Sequence, residues 1–388
     1  MDWLLLLACL TLAGFLWGAA TVLLGFRKIQ RLRDLSAAVP DQVPLVSIII
    51  PALNEEEGLE PALRSVLALD YPALEIIAVD DRSTDATGSI LDRLAGEFPQ
   101  LQVIHIRELP PGWLGKNHAL WLGAAQARGE LLLFTDADVR MEKSALARAV
   151  GYLSGRRLDH LAVFFDAVVP GGLLNMLIVD FAGALLLALR PWEASDPGKG
   201  GHIGVGGFNL IRAETYQRIG SHQALALCPV DDVMLGWLVK RRGGRQDCLL
   251  GRSLITVPWY GSVGEMIRGL EKNIFAFCDY SLPKVAGGSL LIVLGRIWPL
   301  AALLCTSGPT RLVNLALVAL QLLLTLAATR NSPVAARHLL WFPLSPIPGL
   351  YLIWRATFLA LWRRGIRWRT TFYPLAELRA FDRALRGR

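Results

Sequence analysis

Leu131-Leu132-Leu133-Phe134-Thr135-Asp136-Ala137-Asp138-Val139 is an apolar run that ends in two carboxylates. Four consecutive large apolar residues read as a strand buried on both faces, as parallel strands are. The acids then fall at the strand's carboxyl end, where open α/β sheets receive their ligands. Two acids one residue apart pack poorly beside a core strand unless something positive neutralises them, and a divalent cation carrying a diphosphate is a group of that kind.

The same arrangement recurs upstream. Leu45 to Ile50 is a β-branched run that Pro51 should break, after which Ala52-Leu53-Asn54-Glu55-Glu56 opens a helix expected to reach Leu69. Leu74 to Val79 forms a second strand and ends in Asp80-Asp81-Arg82-Ser83-Thr84-Asp85, whose polar side chains suit the cap of a helix over Ala86 to Gly96. Leu101 to Ile106 is a third strand, and Asn117 to Ala127 a helix before the fourth, Leu131 to Phe134. Strands and helices alternating at this spacing predict an α/β fold with a doubly wound, mostly parallel sheet. Such a sheet presents its carboxyl ends along one edge, so Asn54 and Glu55, Asp80 and Asp81, and Asp136 and Asp138 should converge on one crevice. Taken singly, each is equally well a turn or capping residue. Three strand ends alike speak for a site.

Neither a G-x-G-x-x-G fingerprint nor a Walker loop follows the first strand, which counts against a dinucleotide dehydrogenase and a P-loop NTPase. A site built from acids needs positive charge from a metal or from nearby Lys and Arg. Lys116, in Gly112-Trp113-Leu114-Gly115-Lys116-Asn117-His118, stands in a Gly-rich loop before a helix, where backbone amides and an ammonium can both face phosphate.

Around this region the chain is apolar. Its 388 residues are 53% hydrophobic and 19% charged, too apolar for an ordinary soluble enzyme and too charged for a membrane bundle alone. Trp3 to Phe26 is long enough to span a bilayer and is followed at once by Arg27, Lys28, Arg31 and Arg33, which puts the next domain in the cytoplasm with the amino end outside. A cleaved signal peptide is the alternative, disfavoured because no basic residue precedes the apolar run and Asp2 is acidic. The net charge of +7 is modest, and Arg363, Arg364, Arg367 and Arg369 also adjoin an apolar stretch, a pattern that suits anionic headgroups rather than nucleic acid. Five scattered cysteines show no metal spacing and read as reduced thiols.

Val46-Ser47-Ile48-Ile49-Ile50-Pro51-Ala52-Leu53-Asn54-Glu55-Glu56, then Val79-Asp80-Asp81-Arg82-Ser83-Thr84-Asp85, then Asp136-Ala137-Asp138 resemble the inverting family 2 glycosyltransferases of the GT-A fold, over roughly Val46 to Val257. The Gly112 to His118 loop resembles the membrane-bound branch that includes carotenoid, hopanoid-associated and ceramide glycosyltransferases. The resemblance implies a nucleotide-sugar donor, with Asp80 or Asp81 and the turn carrying Pro51, Ala52, Asn54 and Glu55 at the base and ribose. It implies Mg2+ or Mn2+ on Asp138, helped by Asp136, which also orients the donor's ribose or sugar. The glycines of Gly200 to Asn209 let backbone approach a ligand closely, and the resemblance puts donor sugar and acceptor near Gly206, Gly207 and Asn209.

Pro229-Val230-Asp231-Asp232-Val233-Met234-Leu235 matches the family's acidic pair at a helix start, whose second acid is the general base. That assigns the base to Asp232, with Asp231 beside it or serving as a helix cap. Inverting transfer needs a carboxylate to take the acceptor hydroxyl proton as that oxygen attacks the anomeric carbon. The family's Q-x-x-R-W signature is absent. In its place Gly264 to Asn273 carries Arg268 and Lys272 four apart on one helical face, able to meet the leaving diphosphate or a lipid phosphate.

The expected organisation is a membrane anchor over 1–27, a glycosyltransferase domain over 44–260 with an interfacial helix at 171–190, and an amphipathic interfacial segment at 261–285. A membrane region over 288–362 and a basic cytoplasmic tail over 363–388 follow. Leu290 to Leu304 and Leu312 to Ala328 read as a hairpin of spans, whereas Leu339 to Trp362, interrupted by Pro343, Pro346, Pro348 and Arg355, either spans or re-enters. The function expected is that of an integral enzyme of a bacterial inner membrane, its catalytic domain cytoplasmic. It would move a single sugar from a nucleoside diphosphate donor, a UDP-sugar, to a lipid acceptor with inversion. A processive polysaccharide synthase and a silent lipid-binding scaffold are the alternatives. The absent Trp of the signature weighs against the first and the full set of acids against the second.

Overall fold

The computed structural model describes residues 2–38, 42–329, 336–369 and 371–387. It divides into two units, a sheet unit of residues 27–167, 189–258 and 381–388 and a helical unit of residues 1–26, 168–188 and 259–380.

The sheet unit is organised by strands β1 (Gln30–Arg31), β2 (Val46–Ala52), β3 (Leu74–Asp81), β4 (Leu101–Ile106), β5 (Leu131–Phe134), β6 (Arg140–Met141), β7 (His160–Phe164), β8 (Asp166–Val168), β9 (Asn209–Arg212), β10 (Gln246–Leu250) and β11 (Ile255–Pro258). Eight of them form one sheet in the order β1-β10-β7-β9-β5-β2-β3-β4. All neighbours are parallel except β9, which runs antiparallel between β5 and β7. Ile48, Ile49, Ile76, Leu131 and Leu133 are fully buried at its centre, each worth about 1.5–3 kcal/mol of burial. A small sheet of order β6-β11-β8 flanks this core.

Pro51 does not end β2, contrary to the sequence reading. β2 pairs with β5 only over Val46 to Ile49 but with β3 through Ala52, opposite Asp80. Pro51 therefore lies beyond the β5 pairing, where its missing N–H leaves no ladder bond unmade. The first helix is also shorter than expected, Leu59–Leu67. The later helices, Thr87–Glu97 and Gly115–Gln126, fall within two residues of their expected bounds.

Among the described residues, the helical unit holds four helices long and apolar enough to cross a membrane, Trp3–Phe26, Gly172–Glu193, Leu282–Cys305 and Gly308–Ala327, the second running a few residues past that unit's edge. Leu282–Cys305 begins eight residues before the stretch read from sequence, and its turn at Val293–Ile297 is widened to a π-helix. The cause is Pro299: it has no N–H for the Gly295 carbonyl four residues back, and its ring crowds that carbonyl. The Gln321 side-chain amide takes the freed carbonyl instead, at 2.8 Å. The widened turn carries Arg296, whose guanidinium pairs with Asp180 and also donates to Ser345 Oγ at 3.2 Å.

Val263–Phe277, which carries Arg268 and Lys272, packs through Met266, Ile267 and Leu270 against Leu352 of the Pro346–Trp362 helix. The expected basic tail is folded: β12 (Gly365–Trp368) pairs antiparallel with β13 (Thr371–Pro374), and the Leu375–Arg386 helix follows.

Candidate active site

The loops at the carboxyl ends of β2 and β3 are laced together by their own polar groups. Asn54, with a left-handed φ of 54°, donates its N–H to Ser83 Oγ at 3.1 Å and accepts from Thr84 N–H at 2.8 Å. Glu55 N–H donates to Thr87 Oγ1 at 2.8 Å, and Glu56 exchanges bonds with the Asp85 and Ala86 region. Asp80 accepts from Ser83 N–H at 3.1 Å and meets His105 Nδ1 at 2.9 Å, which together with Asp92 raises the imidazole's pKa. Much of the hydrogen-bonding capacity of Asn54 and Asp80 thus holds the loops in shape.

Asp81 is 2% exposed. Its two oxygens accept from Arg82 Nε at 2.7 Å and Nη2 at 3.0 Å, a bidentate pair between chain neighbours made possible by the left-handed φ of 63° at Arg82. The Gly115–Gln126 helix starts directly against this pair. A Cβ on Gly115 would lie 2.2 Å from Asp81 Oδ2, so only glycine lets the helix N-terminus come this close.

The next residue, Lys116, reaches across to the acids after β5. Its Nζ lies 2.6 Å from Asp136 Oδ1 and 4.0 Å from Asp231 Oδ2. Burial works to lower the ammonium's pKa, but Asp136, Asp231 and Asp232 overcome it and hold the group well above its ordinary value. Asn117, fully buried, donates its amide to the carbonyls of Leu225 and Cys228, and Leu114 N–H donates to Ala226 at 2.8 Å. These bonds tie the Lys116 turn to the loop that leads into Asp231.

β9 accounts for how Asp136 and Asp232 meet. Because it is antiparallel, its first residue, Asn209, pairs with Phe134 at the end of β5. The preceding loop then lies beside the acids: Asp136 N–H donates to the Gly206 carbonyl at 3.1 Å, and Thr135 Oγ1 donates to the Gly207 carbonyl at 2.8 Å. Gly206 N–H in turn donates to Asp232 Oδ2 at 2.9 Å, while Asp232 Oδ1 accepts from Val233 N–H at 2.8 Å. A Cβ on Gly206 would stand 2.7 Å from Asp136 Oδ2 and 3.4 Å from Asp232 Oδ2. Gly206 is therefore the spacer between the two carboxylates, and Asp136 and Asp232 open on the same small volume.

Burial raises the pKa of both Asp231 and Asp232 against the opposing pull of Lys116. Of the pair, Asp231 is 4% exposed and Asp232 is the more accessible. Burial, reinforced by Asp136 and Glu55, pushes the Asp138 carboxyl up to about 7. Crowded acids of this kind are stabilised by a cation. Among the described residues no three His, Cys, Asp or Glu side chains gather into a self-sufficient metal cage. Asp136 and Asp138 are the carboxylates able to hold an ion whose shell phosphate oxygens complete.

The structure thus gathers Ala52, Asp80, Asp81, Lys116, Asp136, Asp138, Asp231, Asp232, Gly206 and Gly207 in the sheet unit, while Arg268 and Lys272 belong to the helical unit. There Lys272 Nζ sits 4.0 Å over the Trp368 ring. Asn209, expected on the acceptor side, is 2% exposed and faces the core. Its Oδ1 accepts from His160 Nε2 at 2.6 Å, and its Nδ2 donates to the Asp232 carbonyl at 3.4 Å. Gln246 continues this buried chain, bonded to His160 Nδ1 at 2.7 Å and to both backbone groups of Ile203 at 3.0 Å. Asn209 therefore supports the start of the Asp232 helix through the Asp232 carbonyl, from a strand whose first three residues are all buried. The Asn209–His160–Gln246 chain and the Arg82 clamp escaped the sequence reading; no spacing marks residues 49 and 86 apart as partners.

Residues 47–220 match the model of Glycosyl transferase family 2. The 4,4'-diaponeurosporenoate glycosyltransferase of Staphylococcus haemolyticus is 32% identical over 268 residues, 68% of each chain. The chain belongs to glycosyltransferase family 2. This family 2 chain also resembles the beta-monoglucosyldiacylglycerol synthase of Synechocystis sp., 33% identical over 170 residues, 40% of the chain and 35% of the synthase. The match thus spans about a third of that synthase's length. Among solved structures, the mannosyltransferase PcManGT from Pyrobaculum calidifontis, in complex with GDP-Man and Mn2+, aligns with a TM-score of 0.60 at 22% identity, covering 93% of this chain and 99% of that one. The likeness is one of fold, the GT-A arrangement of a mostly parallel sheet.

Proposed function

We propose that this family 2 protein transfers a single sugar, with inversion, from a nucleoside diphosphate sugar to a lipid acceptor. The observation that carries the reading is the pairing of Asp136 and Asp232 across Gly206, with Lys116 between Asp136 and Asp231. It supplies an acidic donor site and a carboxylate base within one small volume.

Asp232 acts as the base. Two backbone N–H groups, from Gly206 and Val233, fix its carboxylate plane and leave further lone pairs to receive a proton. The acceptor hydroxyl gives its proton to Asp232, its oxygen forms the new bond to the anomeric carbon, and the bond from that carbon to the diphosphate breaks on the opposite face. Asp80 or Asp81, with the Pro51 to Glu55 turn, receives the base and ribose of a UDP donor in our reading. Asp138 and Asp136 would hold Mg2+ or Mn2+, which would supply positive charge against the departing diphosphate. Lys116 lies where it adds a second positive charge to the same group. Gly206 and Gly207 bring backbone close to the transferred sugar, and Arg268 and Lys272 of the helical unit meet lipid phosphate.

The lipid acceptor is supported by two relatives, a 4,4'-diaponeurosporenoate glycosyltransferase and a beta-monoglucosyldiacylglycerol synthase, and by four helices among the described residues that are long and apolar enough to span a membrane. An acceptor confined to the bilayer needs such a neighbourhood. We place the enzyme in the membrane with its sheet unit on the cytoplasmic side, since Arg27, Lys28, Arg31 and Arg33 follow the first span. Incubation of detergent-purified protein with labelled donors and a bacterial lipid extract tests the reading: label passes to lipid with Mn2+ or Mg2+ and stops with EDTA. Transfer unaffected by EDTA removes the metal role of Asp138, and growth of a long water-soluble polymer rejects single-sugar transfer to lipid.

A further inference from the structure

A cation of the protein's own already stands where the acids converge. Lys116 Nζ bonds Asp136 Oδ1 at 2.6 Å and lies 4.0 Å from Asp231 Oδ2. Its backbone is pinned: Gly115 packs against Asp81 with no room for a Cβ, Leu114 N–H is bonded to Ala226, and the Asn117 amide to Leu225 and Cys228. Its side chain is a four-carbon stem whose ammonium can swing by several ångströms about that fixed point. Asp136 keeps 40% of its side chain exposed, so an incoming ligand reaches it. A carboxylate oxygen that accepts an ammonium N–H this closely does not offer the same lone pair to a divalent ion, and the two cations repel each other at such a distance.

We propose that Lys116 is a stand-in counter-ion for the acid crevice. It neutralises Asp136 while the donor is absent and transfers to the donor's diphosphate when nucleotide and metal arrive, so the ion gains Asp136 only together with the nucleotide. This inference rests on the donor and metal reading above. Its consequence is cooperativity: bare ion binds weakly, nucleotide and ion strengthen each other, and the strengthening is reciprocal. The resting crevice, with Asp136, Asp231 and Asp232 close together, is never left without positive charge. A plain structural ion pair makes a different prediction, since deleting it would loosen the site and weaken both ligands. The exchange predicts opposite signs for metal alone and for the cooperative step.

The test is Mn2+ binding to the full-length protein, followed by the electron paramagnetic resonance signal of free Mn2+, with and without UDP or GDP, in wild type, Lys116→Met and Lys116→Arg. We expect Mn2+ alone to bind about tenfold more tightly to K116M, and the factor by which the better nucleotide enhances Mn2+ binding to fall about tenfold, within the usual span of coupling between sites. K116R keeps the wild-type pattern. A damaged variant cannot gain affinity, so tightening does not arise from misfolding. In the wild type alone, equal Mn2+ affinity with and without nucleotide overturns the proposal, whatever the variants do. If nucleotide and Mn2+ bind cooperatively but K116M takes up bare Mn2+ no better than wild type, the counter-ion exchange is wrong and the donor reading stands. If Mn2+ binds neither protein even with nucleotide, the metal and donor reading falls and this inference with it.

Discussion

Gly206→Ala puts a methyl group between the two acids on which the proposed chemistry depends. The new Cβ would stand 2.7 Å from Asp136 Oδ2, whereas ordinary contact begins at 3.4 Å, so the pair must separate by about 0.7 Å. Asp136 is the partner that yields, being part exposed and held by Lys116, while Asp232 already sits at 3.4 Å and is fixed by two N–H groups. Gly206 is not in the left-handed region, so alanine brings no backbone strain. The substitution therefore disturbs the geometry of the donor site and little else. A misplacement approaching 1 Å costs up to about 100-fold in rate, so kcat/KM should fall about 10–100-fold, or ~1.4–2.7 kcal/mol. The thermal unfolding midpoint should stay within a few degrees. The assay is steady-state transfer of labelled sugar to lipid, with nucleotide affinity measured alongside. Activity within twofold of wild type would refute the idea that Gly206 sets the Asp136–Asp232 spacing; so would an equal loss accompanied by unfolding.

Three other perturbations probe the supports of the site. Asn209→Ala removes the partner of buried His160 Nε2 and should cost about 1–3 kcal/mol in chemical unfolding; no cost would mean the buried chain contributes nothing beneath Asp232. Arg82→Gln takes the guanidinium from a carboxylate that is 2% exposed, and we expect a loss of at least about 1–3 kcal/mol together with weaker nucleotide binding. Unchanged stability and affinity would make the clamp incidental. For pH, burial lowers the His160 pKa from 6.5 to about 4, so the unfolded chain binds the proton first. The stability it contributes is present above 6.5 and is lost as pH falls toward 4, about 2–3 kcal/mol by pH 4.5. His222, lowered to about 3 by burial, adds in the same direction. Unfolding at pH 7.5 and 4.5 should show this loss, reduced in His160→Gln; an identical loss in the variant would assign it elsewhere.

The apolar runs at Leu74–Val79 and Leu131–Phe134 are strands in the structure, because a doubly covered parallel sheet buries both of their faces, and Leu101–Ile106 is the edge strand beside them, with Gln102 and His105 exposed. The acids at their ends converge for the reason read from sequence. What stayed hidden depends on contacts between distant segments. Pro51 looked like a strand end because its tolerance depends on where β5 stops pairing, a tertiary fact. β9 is four residues long, and nothing in Asn209-Leu210-Ile211-Arg212 announces an antiparallel strand inside a parallel sheet. Yet that insertion carries Gly206 to Asp136 and turns Asn209 inward. Asp80 or Asp81 is expected at the base and ribose, and the bidentate pairing of Arg82 with Asp81 stayed hidden because it depends on a left-handed backbone that the residue type does not signal. Lys116 was read toward phosphate, and the structure adds the acid it holds meanwhile.

In the proposed mechanism Asp232 drives sugar transfer to a lipid from a site that binds donor without it. Wild-type and Asp232→Asn proteins should be given the same labelled nucleotide sugar, Mn2+ and lipid extract, and the label counted in the organic phase alongside nucleotide affinity. The account predicts label in lipid from the wild type, a loss of about 100-fold or more in the variant, and nucleotide affinity unchanged within about threefold by the same reasoning, since Asp232 acts on the acceptor. Transfer to lipid that persists in the variant, or a wild type that moves label only into water-soluble product, would contradict it.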